Sequence, residues 1–115
     1  MDDDMNEYFK TAGETLRALG QFNSKSMKGF QEFMQAVKAD GALSKKIKEI
    51  IGIGISVYIQ CQFCTAWHVK RAMEAGATRE EILEACQVAA MVGGGHSLMS
   101  THYAFKAIDD FKKIE

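Results

Sequence analysis

An all-α fold of about six helices is predicted by three features of this 115-residue chain. It has no proline, and its ten glycines gather mostly where a helical pattern stops. Apolar residues recur at steps of three and four along most of its length, the spacing of an amphipathic helix. Thr78-Arg79-Glu80-Glu81 has the order of a capping box, a signature of a helix start.

The elements follow in order. Met5, Phe9, Ala12, Leu16 and Leu19 share a face and predict a first helix over 5–20, closed by Gly20. The Asp run before it favours the positive N-terminal end. Met27, Phe30, Phe33, Met34 and Val37 predict a second helix from Ser24 to Ala39, ended by Asp40-Gly41 and packing this stripe into the core. Ser44 caps a third helix through KKIKEIIGIGISVYI, whose apolar density over 50–59 makes it central. Gly52 and Gly54 lie inside it and each cost about 1 kcal/mol relative to alanine; small residues there allow a neighbouring helix to come close. A fourth helix runs from Cys61 to Ala75 and stops at Gly76. The fifth follows the capping box, with Ile82, Leu83, Cys86, Ala89 and Ala90 on its apolar face and Cys86 read as a small core residue. Glycines 93–95 break the pattern, and a last helix places Leu98, Tyr103, Ala107, Ile108 and Phe111 inward. With no repeat and no low-complexity linker, one domain over 1–115 is expected.

Composition narrows the function. A formal net charge of -1 and no basic run give no reason to expect nucleic acid or a membrane surface. The start, MDDDMNEYFK, is acidic where a secretory signal is basic, and no apolar run approaches the roughly 20 residues that span a bilayer. The expected location is the cytoplasm, where a CxxC is kept reduced and reads as catalytic or metal-binding.

That CxxC lies in CQFCTAWH, residues 61–68. At about 100° per residue, Cys61, Cys64 and His68 fall within an arc of about 60° on one helical face. Cys64 and His68, four apart, are placed for the imidazole to take the thiol proton directly or through one water. This matters because the thiolate is the nucleophile and a free cysteine near pKa 8.5 is mostly protonated at neutral pH. The helix N-terminus favours Cys61 as the activated thiol, whereas histidine spacing favours Cys64. Glu49 can orient the imidazole only if the chain reverses near 58–60 and the third and fourth helices pack antiparallel, since twelve residues of continuous helix rise about 18 Å. A buried carboxylate there needs a partner, and His68 is the candidate; an exposed glutamate among KKIKE is the plain alternative.

Glu49, Cys61-Gln62-Phe63-Cys64 and His68, with the following AMEAGATREEILEA and VAAMVGGGHSLM segments, resemble the carboxymuconolactone decarboxylase superfamily, in particular its alkylhydroperoxidase D-like branch. The likeness runs over roughly residues 40–112, leaving 1–40 as N-terminal helices that match no motif and 41–112 as the family-like core. The resemblance implies an all-helical fold assembled as a homo-oligomer, trimer or hexamer, and a thiol-dependent peroxidase or disulfide reductase that uses no metal or cofactor. It implies that His68, oriented by Glu49, helps deprotonate Cys64, that Cys64 attacks a peroxide, and that Cys61 closes the Cys61–Cys64 disulfide. A peroxide or disulfide substrate and a dithiol electron donor, protein or small molecule, are the partners this requires. Members that are true lactone decarboxylases usually lack the CxxC, which argues against that chemistry here. Phe63 stands where some peroxidase members carry a second histidine, so that part of the relay is missing.

Two other readings compete. Cys61, Cys64 and His68 could hold zinc with Cys86, His96 or His102 as the fourth ligand, although no second CxxC or HxxxH is present. Alternatively the chain is a helical assembly module with a vestigial CxxC. Otherwise His96 and His102 are read as a link residue and a helix-surface or core-edge residue, and Trp67 as a packing residue at a helix or subunit contact.

Overall fold

The computed structural model describes residues 4–112. They form six α-helices: α1 (Met5–Phe22), α2 (Ser24–Lys38), α3 (Lys45–Tyr58), α4 (Gln62–Glu74), α5 (Arg79–Gly93) and α6 (Gly95–Lys112), with no strand among the described residues. The core lies between α3, α4, α5 and α6, and the N-terminal half of α1 closes one side. Val57, Ala66, Val69, Ile82, Ile108 and Phe111 form its centre.

The helix starts follow local chemistry. Asp4 caps α1 by accepting the Asn6 N–H at 2.9 Å; Asp2 and Asp3 lie outside the described residues. Ser44 caps α3 by accepting the Ile47 N–H at 3.2 Å. The capping box of α5 is complete: Thr78 Oγ1 accepts from the Glu81 N–H, and Glu81 Oε1 accepts from the Thr78 N–H. That N–H and the nearby Lys46 ammonium hold the Glu81 carboxyl below its usual range. α1 is tied down at its start, where the Met5 N–H donates to the buried Asp110 Oδ2 at 3.0 Å and Phe9 packs between Trp67 and Phe111.

Three expectations need correction. α1 continues through Gly20 to Phe22, and Asn23 ends it while capping α2 through the Ser26 N–H. One glycine in an exposed helix costs too little to stop it, whereas Asn23 satisfies groups at both helix ends. α2 buries no residue at all. Of its expected core stripe, Phe30, Phe33 and Val37 are exposed, Phe33 to 65%, and Met27 and Met34 are only half-buried. The helix leans mainly on α1 and meets α3 only sparsely, so most of its apolar face has no core to enter. Leu98 is also exposed, to 57%, because the inward stripe of α6 runs Ser97, Ser100, Ala104, Ala107 and Phe111. Small polar residues occupy its first two core positions, and hydrophobicity alone points to the wrong neighbour. Ser97 sits against Gly93, where an added Cβ would collide with both Ser97 and the Tyr58 ring.

Cys86 is buried on α5 as a core residue. Burial pushes its thiol from the ordinary 9.0 up to about 11, opposed by a weaker hydrogen bond with Thr101. The fold therefore favours the neutral thiol. Its contribution is complete below pH 9.0 and is lost as pH rises towards about 11. Denaturant titrations between those limits should show stability falling with pH, and Cys86→Ala should flatten that slope; an unchanged slope contradicts the assignment.

Candidate active site

The site is made by a reversal of the chain. α3 ends at Tyr58, Gln60 adopts the left-handed conformation with φ 60°, and α4 begins at Gln62 and runs back antiparallel along α3. The Cys61 N–H is tied to the Ser56 carbonyl at 3.0 Å, which fixes the turn. Cys61 is the N-cap of α4, and its Sγ accepts the Cys64 N–H at 3.1 Å. Thr65 Oγ1 donates to the Cys61 carbonyl, anchoring the same turn. The two sulfurs are joined as a disulfide, with the Cα atoms 5.2 Å apart.

The reversal brings Glu49 opposite His68. Glu49 is buried, with 1% of its side chain exposed, and its Oε1 lies 2.8 Å from His68 Nδ1. An ionised carboxylate only accepts, so Nδ1 carries the hydrogen of this contact and Nε2 is left as the basic nitrogen. Gly52, one turn along α3 from Glu49, makes room for the ring. A Cβ there would stand 2.8 Å from Nδ1 and 2.9 Å from Cγ. Gly54 meets nothing closer than the Ala85 carbonyl at 3.5 Å. The expectation that small residues in α3 admit a neighbour thus applies most sharply to Gly52.

Cys64 and His68 open onto one cavity of about 380 Å³. Its other walls are mostly apolar: Phe63 and Trp67 from α4, Ala12 and Leu16 from α1, and Met34 from α2. Phe63 packs edge-on against Tyr8 with centroids 4.9 Å apart. Trp67 stacks on Phe9 and carries Arg71 over its ring, which gives it a packing role within the chain. The lining from α1 and α2 carries no recognisable motif.

The residues named as a fourth zinc ligand lie elsewhere. Cys86 is in the α5 core, His96 is exposed at the start of α6 near Tyr58, and His102 packs against Tyr103. Among the described residues no three His, Cys, Asp or Glu side chains are grouped as a metal site would require. No helix among them is long and apolar enough to cross a membrane.

The sequence profile of the Carboxymuconolactone decarboxylase family matches residues 24–110. The chain belongs to this family. The match takes in α2, which carries no motif of its own. A carboxymuconolactone decarboxylase family protein of Legionella pneumophila, solved in its apo form, superposes with a TM-score of 0.84 at 36% identity, covering 97% of each chain. An uncharacterized protein of Cupriavidus necator is 35% identical over 97 residues, 84% of this chain and 83% of its own. Alkyl hydroperoxide reductase AhpD of Mycobacteroides abscessus is 38% identical over 53 residues, 46% of this chain and 30% of that protein.

The two glycines of α3 separate packing from propensity. Gly54→Ala should be neutral or stabilising by up to about 1 kcal/mol in thermal denaturation. Gly52→Ala should destabilise despite the same gain in propensity and displace His68 from Glu49, visible as a changed imidazole NMR signal. Equal behaviour of the two variants would contradict the close approach at Gly52.

Proposed function

We propose that this protein is a thiol-dependent peroxidase of the alkylhydroperoxidase D type. The observation that carries this reading is the buried Glu49 carboxylate on His68 Nδ1, with His68 and Cys64 sharing one cavity beside a paired Cys61. In the reduced protein His68 Nε2 takes the Cys64 proton, and Glu49 stabilises the imidazolium that forms. The Cys64 thiolate attacks the distal peroxide oxygen; the O–O bond breaks, the leaving alkoxide takes the proton, and Cys64 becomes a sulfenic acid. Cys61 then attacks that sulfur, forming the disulfide and releasing water. A dithiol donor restores both thiols by exchange and is itself oxidised to a disulfide. During exchange the α4 N-terminus and the Cys64 N–H favour negative charge on Cys61 as it leaves. The cavity supports Cys64 as the attacking sulfur, because Cys64 lines it together with His68. No metal or organic cofactor takes part.

Homo-oligomer formation belongs to the same proposal. Ile51, Ile55 and Tyr58 of α3 and Val88 and Val92 of α5 border an exposed apolar groove of about 420 Å³, the kind of surface that a self-associating protein covers. Light scattering should give a mass above that of one chain, and Ile55→Glu should lower it; a monomeric wild type would remove this part of the proposal.

Peroxide consumption with a dithiol reductant tests the chemistry. Cys64→Ser should abolish turnover and stay folded, and Glu49→Gln should slow turnover on the order of tenfold or more while keeping both sulfurs. Full activity in Cys64→Ser, or a wild type that consumes no peroxide, would contradict the proposal.

A further inference from the structure

Glu49 has a second side. Its Oε2 is buried and makes no hydrogen bond, yet Lys38 Nζ stands 3.4 Å away as an ion pair. Among the described residues Lys38 is the one lysine or arginine in ion-pair contact with this carboxylate. Arg71 borders the same polar pocket, but its guanidinium is held by Glu74 at 2.7 Å. Lys38 is the last residue of α2, the helix that buries nothing of its own. Its side chain is 24% exposed, and its ammonium lies 5.8 Å from the centre of the Trp67 ring. The backbone that delivers it is clamped: Lys48 Nζ from α3 donates to the Val37 and Ala39 carbonyls at 2.7 Å each, on either side of Lys38.

We infer that Lys38 is a positioning residue for the Cys64–His68 pair, acting through Glu49, so that α2 completes the site with a charge. A buried carboxylate with one oxygen unanswered is costly, and turning that oxygen towards water would swing Oε1 off His68 Nδ1. The Lys38 ammonium answers that oxygen, holds the carboxylate in place and leaves Oε1 directed at the imidazole. The chain thus reads Lys38, Glu49, His68, Cys64, drawn from α2, α3 and α4. This inference rests on the proposed role of His68 as the base of Cys64, and it holds for any electrophile that Cys64 meets, peroxide or not.

The test is therefore the rate at which iodoacetamide alkylates Cys64 in the fully reduced protein at neutral pH, read on the Cys64 peptide by mass spectrometry. Lys38→Met should slow alkylation at least about fivefold, and Lys38→Arg should restore it to within about twofold. In a Glu49→Gln background Lys38→Met should have no further effect. A purely structural ion pair would lower stability in thermal denaturation but would not make the effect on Cys64 depend on Glu49. Alkylation at the wild-type rate in Lys38→Met, or equal slowing in both backgrounds, overturns the inference. Lys38→Gln is read in the same way should Lys38→Met not fold. A protein that consumes no peroxide yet shows this alkylation pattern sinks the peroxidase reading and upholds the role of Lys38.

Discussion

Everything at the candidate site depends on one buried carboxylate. Removing Glu49 from water is costly, and the cost is met only by groups brought from other helices. α4 brings His68 to one oxygen and α2 brings Lys38 to the other. The first contact needs the reversal at Gln60 and the absence of a side chain at Gly52. The second needs the end of α2 to stay where Lys48 clamps it. A glutamate in an apolar helix thus explains why a glycine, a left-handed glutamine and a lysine on an otherwise exposed helix occur where they do.

The three cysteines show how surroundings divide one side chain into different chemistries. Cys86 is enclosed by the α5 and α6 core, where desolvation keeps it a neutral thiol and removes it from reaction. Cys61 sits at a helix start, with a backbone N–H aimed at its sulfur. Cys64 is one turn further on, facing a cavity it shares with an imidazole. The CxxC spacing on a helix start is what lets Cys61 and Cys64 bond while giving them these two environments. Phe63, between them, adds an apolar wall to the cavity.

Much of this is legible in the sequence. Ser44, Thr78 and Glu81 mark helix starts because capping is local chemistry, and an antiparallel reversal is required if Glu49 is to reach His68 at all. The errors share a different cause. The Met and Phe stripe of α2 has the spacing of a core face, but periodicity reports only that a helix has an apolar side, not what lies against it. At the start of α6 the inward positions are Ser97 and Ser100, so hydrophobicity points to Leu98 instead, while Ala107, Ile108 and Phe111 lie inward as their spacing predicts. Lys38 could not be found by spacing, because its distance from Glu49 depends on how the loop at 39–44 folds. The cavity walls from Leu16 and Met34 are of the same kind, tertiary neighbours with no local signature.

The central claim is that the Cys61–Cys64 pair exchanges electrons with a peroxide under the control of Glu49 and His68. The most direct measurement is a thiol count by rapid-quench mass spectrometry after the fully reduced protein meets one equivalent of an organic hydroperoxide without any donor. The claim predicts that Cys61 and Cys64 lose two thiols together, that Cys86 keeps its own, and that the same loss is markedly slower in Glu49→Gln. Both thiols surviving in the wild type, or vanishing at an equal rate in the variant, would contradict it.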